Sequence, residues 1–168
     1  MNSLNFNNVT LKFGGITALN DVSFEVKPKT LYAIIGPKGA GKTSIFNCIS
    51  GIYRPTEGSV TYGDNKIKEL RPDQVAELGI ARTFQNIELF ENMTVLDNIL
   101  IGAHRHLEYG AISSLFFSKK ARKSELEARE IAEEIIDFLE IEQFRYSYIL
   151  FLPYGVQKRV EIGRALAL

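Results

Sequence analysis

Residues Gly36, Pro37, Lys38, Gly39, Ala40, Gly41, Lys42 and Thr43 satisfy the phosphate-loop pattern G-x-x-x-x-G-K-[ST] at every fixed position. Their surroundings fit the same chemistry. Residues 30–35, Thr-Leu-Tyr-Ala-Ile-Ile, read as a buried strand leading into the loop. Residues 44–50 read as a helix closed by Gly51. In a strand–glycine loop–helix unit, glycines let backbone N–H groups curl around phosphates, and the helix N-terminus adds a positive field. Lys42 is placed to reach the outer phosphates and the Thr43 hydroxyl to hold Mg²⁺. The pattern therefore predicts an α/β chain that binds a nucleoside triphosphate.

At 168 residues the chain is long enough for one domain with a substantial core. Lys and Arg balance Asp and Glu at 20 each, so no general attraction to nucleic acid or anionic lipid follows from charge. Cys48, the single cysteine, excludes an internal disulfide and suits a reducing compartment. It falls within the helix after the loop, where a small core residue is expected. No basic-then-apolar leader opens the chain, and no apolar run approaches the ~20 residues of a membrane helix.

The first sixty residues read as strand-rich, with one helix. Strands are expected over 4–13, broken by Gly14-Gly15, and over 22–26, where apolar and polar residues alternate. A turn at 54–58 leads to a short strand at 59–62 and a further turn at 63–65. Beyond it, a short helix is expected over 72–78, a buried strand over 79–84, and a helix over 94–102 with Thr94 as N-cap and Asp97 three residues on. Residues 107–120 lack a period and read as a loop or insertion. Residues 124–140 read as an amphipathic helix: Ser124 and Glu127 form a capping-box pattern, Ile131, Ile135 and Phe138 recur at helical spacing, and Glu125–Arg129 is an i,i+4 pair. A last helix starts near Gly155, with Val156, Val160, Gly163 and Ala167 on one face and Gln157, Lys158, Arg159 and Glu161 on the other. It reaches Leu168 without a C-cap signal, which reads as a truncation.

Three segments together resemble the ATP-binding subunit of an ABC transporter. One is the phosphate loop, with Lys38 where the family usually has Asn and Ser44 where it usually has Thr. A second is Ala81-Arg82-Thr83-Phe84-Gln85, similar to the strand that ends in the family's Q-loop glutamine. A third, L-P-Y-G-V-Q-K-R-V-E-I-G-R-A-L over 152–166, is similar to the signature motif and its helix. A finer match is to the ATPases of branched-chain amino acid importers of bacteria and archaea. It rests on Phe13-Gly14-Gly15, on R-T-F-Q-N-I-E-L-F-E-N-M-T-V over 82–95, on an insertion over 104–122, and on Leu152-Pro153-Tyr154-Gly155.

The resemblance implies a P-loop NTPase fold with an antiparallel β subdomain and a helical subdomain, the core sheet being incomplete in this chain. It divides the chain into a strand-rich nucleotide-binding part (1–85), a mainly helical part (86–154) and the signature helix (155–168). ATP and Mg²⁺ are the implied ligands. Gly36, Pro37, Lys38, Gly39, Ala40, Gly41, Lys42, Thr43 and Ser44 would hold the phosphates, Phe13 would stack on adenine, and Gln85 would join Thr43 at Mg²⁺ and place the attacking water. For Phe13 the residues alone leave a core role open. Leu152, Pro153, Tyr154 and Gly155 would meet the γ-phosphate of ATP on a second ATPase subunit, again through a helix N-terminus. Pro153 supplies no hydroxyl there, and Val156 replaces the common glutamine. Leu89 and Phe90 are candidates for a permease-facing surface or for the core. His104 and His106, two residues apart, do not converge on one helix face and carry little weight as a metal pair.

The implied partners are a second ATPase subunit, transmembrane permease subunits and, indirectly, an external solute-binding protein, with no nucleic acid. The implied location is the inner face of a prokaryotic cell membrane. The implied activity is ATP hydrolysis coupled to uptake of branched-chain amino acids. Urea or short amides as the solute, or a non-hydrolysing nucleotide-binding remnant, are the alternative readings. The family places an apolar strand ending in Asp-Glu after the signature helix, the aspartate for Mg²⁺ and the glutamate as general base. This chain reaches Leu168 before such a strand, so hydrolysis is expected of the complete subunit rather than of these residues alone.

Overall fold

The computed structural model describes residues 2–83, 87–103 and 119–168, without the side chains of 119–121. The expected Q-loop residue Gln85 and the histidines at 104 and 106 lie outside the described residues. The chain divides into two compact units, residues 1–80 and 81–168.

The first unit is built on a four-stranded antiparallel sheet in the order β2-β1-β3-β4. Its strands are β1 (Leu4–Phe13), β2 (Ile16–Val26), β3 (Glu57–Tyr62) and β4 (Asn65–Lys66). β2 starts six residues earlier than its alternating stretch suggests, because it pairs with β1 from the hairpin onward, Phe13 opposite Ile16 and Leu4 opposite Val26. Antiparallel pairing needs only this short connection, at Gly14-Gly15. Phe6, Val9, Leu11, Leu19 and Val60 turn one face of the sheet into a core. Helix α1 (Lys42–Ile49) closes that core with Ile45 and Cys48. Helix α2 (Pro72–Glu77) opens on proline, whose missing N–H costs nothing at a first helical position, and buries Val75.

Among the described residues, two expected buried strands are absent. Residues 30–35 form no strand, and among the described residues none pairs with them. Leu31 is fully exposed and Ile35 is 92% exposed. The other side of the segment is held: Ile34 packs on the core, and the Tyr32 ring stacks on Phe24 at 5.3 Å, which stacks on Phe6 at 4.6 Å. The alternation is that of a strand lying on the sheet, but backbone partners, which apolar composition cannot supply, are not there. Residues 80–83 are likewise irregular, following a turn at Gly79.

The second unit is helical: α3 (Val95–Gly102), α4 (Lys119–Phe138) and α5 (Tyr154–Leu166). Val95, Leu96, Ile99, Ala128, Ala132, Ile136 and Val160 share its core. Gly102 lets α3 approach α5, since a Cβ there would run into the Arg164 carbonyl oxygen. Thr94 caps α3 as expected: its Oγ1 accepts from the Asp97 N–H at 3.1 Å, and Asp97 Oδ2 accepts in return from the Thr94 N–H at 3.3 Å. Helix α4 begins at Lys119, so Ser124 is buried inside it and is no cap. The run Lys-Lys-Ala-Arg-Lys ahead of Ser124 consists of good helix formers and carries the helix through. Along α5 the apolar face is buried as expected, but Glu161 is buried too, only 2% exposed, with its carboxylate on Lys158 Nζ at 2.6 Å.

Candidate functional site

The loop of residues 36–43 is shaped by two left-handed glycines, Gly39 at φ 87° and Gly41 at φ 82°. Gly41 is also the N-cap of α1 and lies against β2: a Cβ there would come 2.6 Å from the Ala18 carbonyl oxygen and 2.8 Å from Leu19 Cδ2. No side chain caps α1, so the N–H groups of Lys42, Thr43 and Ser44 have no acceptor from a capping side chain and none within the helix. Ala40 N–H bonds the Pro37 carbonyl at 3.3 Å, which rounds the loop.

Lys42 Nζ donates to the carbonyls of Gly36 and Pro37, both at 2.7 Å. The ammonium therefore bridges back over the loop it belongs to. Both bonds are exposed and made to neutral acceptors, so an anionic oxygen competes for the ammonium on favourable terms. A concave loop, uncapped N–H groups, a lysine held over it and the Thr43 hydroxyl at the first helical turn form a donor set that fits a polyphosphate with its magnesium ion.

Phe13 ends β1 and is 45% exposed, outside the core. Its ring meets that of Tyr53 edge to face, with centroids 5.0 Å apart and planes at 73°. The Tyr53 contact was not legible in the sequence: four positions beyond α1, nothing in its spacing separates it from any core aromatic. Burial pushes the Cys48 thiol up to about 11, as expected of a small core residue.

The segment 152–155 lies in the second unit. Leu152 is buried, while Pro153, Tyr154 and Gly155 are exposed at the start of α5, which has no side-chain cap. Gln157 holds this entry: its Nε2 donates to the carbonyls of Leu152 at 2.9 Å and Ile149 at 3.1 Å. Backbone bonds then lace the preceding segment to the start of α3, from Ile149 N–H to Met93, Leu150 N–H to Glu91 and Val95 N–H to Ser147. Asn98, fully buried on α3, donates to the carbonyls of Phe90 and Thr94 and accepts from the Phe90 N–H. Leu89 packs against the helical core, whereas Phe90 is half exposed. Gln157 and Asn98 are fixing residues that periodicity did not single out, although an asparagine amid Val-Leu-Asp-Asn-Ile-Leu-Ile is a visible break in an apolar run.

Comparison with known proteins agrees with this geometry. The model of the ABC transporter family matches residues 19–168. The chain belongs to the ABC transporter family. The high-affinity branched-chain amino acid transport ATP-binding protein BraF of Pseudomonas aeruginosa is 39% identical over 163 residues, 97% of this chain. LivG of Escherichia coli K12, of the same description, is 36% identical over 163 residues, also 97% of the chain. The chain spans 64% of the length of each of these relatives. MJ1267, an ATP-binding cassette of an ABC transporter solved in its ADP conformation, superposes with a TM-score of 0.79 at 36% identity, over 99% of this chain and 65% of that one. The cassette MJ0796, solved as a dimer in a post-hydrolysis state bound to ADP and Pi, does so with a TM-score of 0.77 at 30% identity, over 98% of this chain and 69% of that one. The fold is thus that of an ABC ATPase, with its antiparallel β part and a helical portion. Among the described residues no helix is long and apolar enough to cross a membrane.

Proposed function

We propose that the chain forms the ATP-binding part of an importer ATPase for branched-chain amino acids, working on the inner face of the membrane beneath its permease. The observation that carries the nucleotide reading is the loop itself. Its two left-handed glycines and uncapped helix start leave N–H donors available to an anion, with Lys42 Nζ 2.7 Å from two neutral carbonyls that phosphate oxygens can outcompete. The likeness to BraF and LivG supports the solute class.

In this reading the N–H groups of the loop and of Lys42, Thr43 and Ser44 bind the phosphates, and Lys42 leaves the Gly36 and Pro37 carbonyls to take an outer phosphate oxygen. Thr43 and, by the resemblance, Gln85 would hold Mg²⁺, which would neutralise phosphate charge, and Gln85 would orient the water. Phe13 stacks on the base. The N–H groups of Tyr154 and Gly155, at the first positions of α5, meet the γ-phosphate held by a second subunit. Hydrolysis and transport belong to the complete, paired subunit with its permease.

Lys42→Ala removes the ammonium and its two bonds to the Gly36 and Pro37 carbonyls while keeping every backbone N–H donor of the loop. Equilibrium binding of Mg-ATP, measured at low protein concentration, is expected to weaken by at least about tenfold, the value of one charge-assisted contact. Unchanged affinity would sink the phosphate-loop reading. For the solute, ATP-dependent uptake in vesicles carrying the complete transporter is expected with leucine, isoleucine or valine. Uptake of urea or a short amide in their place overturns the solute assignment while leaving the ATPase reading intact.

A further inference from the structure

Phe13 presents a problem that the base-stacking role does not solve by itself. It sits at the tip of a hairpin, beside Gly14 at φ 55°, and its ring is nearly half exposed. A ring so placed pays rotamer entropy each time it is ordered against a base. The structure supplies one brace. Tyr53 is tied to the phosphate-loop helix, its N–H bonding the Asn47 carbonyl of α1 at 3.0 Å, and it packs against the core of the first unit. Its ring meets Phe13 at 5.0 Å and 73°. Whichever ring presents its edge in such a pair, at least one face of Phe13 is left uncovered by Tyr53.

The same unit places this pair beside the loop. Phe13 pairs with Ile16 across the hairpin, and two residues further along β2 the Ala18 carbonyl abuts Gly41. Tyr53 therefore links two parts of one site: the helix whose N-terminus faces the phosphates and the aromatic that faces the base. We infer that Tyr53 is a positioning residue for the nucleobase, holding the Phe13 ring in its stacking orientation through an edge contact and fixing it relative to α1. The inference rests on the base-stacking role given to Phe13 above. Its consequence is specific: Tyr53 acts on binding of the base and not of the phosphates.

The test compares Mg-ATP with inorganic Mg-tripolyphosphate, which keeps the phosphates and lacks the base, by equilibrium binding to the purified protein. Tyr53→Ala is expected to weaken Mg-ATP by about fivefold, the size of an aromatic pair, and to leave tripolyphosphate within about twofold. Tyr53→Phe keeps the ring without the hydroxyl and is expected to restore Mg-ATP affinity. Tyr53→Leu keeps apolar bulk over α1 without a ring and carries the same expectation as Tyr53→Ala if the smaller side chain prevents folding. Phe13→Ala separates the two levels of the inference. If it weakens Mg-ATP while both Tyr53→Ala and Tyr53→Leu do not, Tyr53 does not position the ring. If it leaves Mg-ATP unchanged while Lys42→Ala weakens it, the base-stacking role of Phe13 falls and the inference with it. Equal losses of ATP and tripolyphosphate in the Tyr53 variants overturn the inference in favour of a general prop under α1.

Discussion

Gly41 is bound by two constraints at once, and each has a cost that can be separated by experiment. Its φ of 82° is unfavourable for an L side chain by about 1–2 kcal/mol. A Cβ there would also press on the Ala18 carbonyl, a backbone atom of β2 rather than the end of a flexible side chain. Gly41→Ala is therefore expected to lower stability by at least about 2 kcal/mol in urea unfolding and to abolish Mg-ATP binding together with it. Gly39→Ala shares the left-handed penalty, at φ 87°, but its Cβ would meet open space. Its stability loss should be the smaller of the two. Cys48 makes a prediction of a different kind. Burial raises the folded thiol from 9.0 to about 11, so between those values the unfolded chain gives up its proton first. The unfolded state then binds fewer protons, and stability falls as pH rises through this window, by about 3 kcal/mol in all; below pH 9 the contribution is fully present. A urea-midpoint profile from pH 8 to 11 checks this, and Cys48→Ala, which cannot titrate, should flatten it.

Among the elements, α3 shows how far local rules reach. Its cap, its start and its apolar face follow from Thr94, Asp97 and the spacing of Val95, Ile99 and Gly102. What they do not reveal is Asn98. Buried and bonded to Phe90 and Thr94, it ties the segment around Phe90 to the helical core. Asn98→Ala leaves the Phe90 N–H and carbonyl without their partner, and a loss of about 2–3 kcal/mol is expected, read as a fall in the urea midpoint. Asn98→Asp keeps an acceptor for the N–H but loses both donations and should recover only part of it. The same division explains the other elements. Strand β1, helix α1 and the buried face of α5 follow from short-range pattern because their partners are near in sequence or their period is strong. The segment at 30–35 reads as a buried strand because its apolar residues report burial in general, while pairing depends on which chain lies alongside. Ser124 reads as a cap because a capping pattern marks a start, but the strong helix formers before it carry the helix through. Glu161 falls on the polar face of α5 by its charge, yet its position next to Val160 takes it inside, where Lys158 compensates it. Within the loop at 36–43, the left-handed glycines Gly39 and Gly41 were legible because the backbone conformations the pattern demands are narrow. The contacts of Tyr53 and Gln157 were not, since the tertiary fold sets them.

For the whole molecule, the segment at 30–35 decides behaviour in solution. Tyr32 and Ile34 hold it to the sheet while Leu31 and Ile35 stand in water, so one side of a strand-like segment is packed and the other is bare. Full exposure of two large aliphatic side chains forfeits about 3–6 kcal/mol of burial, and among the described residues the backbone groups beside them have no ladder. Such an edge offers both an apolar surface and unpaired N–H and C=O groups to another chain. The 168-residue chain on its own is therefore expected to self-associate as its concentration rises, by light scattering, and to enhance the fluorescence of an anilinonaphthalene dye. Leu31→Lys combined with Ile35→Lys adds charge to the bare side and leaves Tyr32 and Ile34 in place. It should reduce both signals while the far-ultraviolet circular dichroism stays the same. Because the loop lies immediately beyond Ile35, Mg-ATP binding is the internal control: the double variant should keep it within about threefold if the two lysines act on the edge alone. A monodisperse parent chain with a cooperative thermal transition and no dye response would show that the bare side is covered in solution and that this account of the edge is wrong.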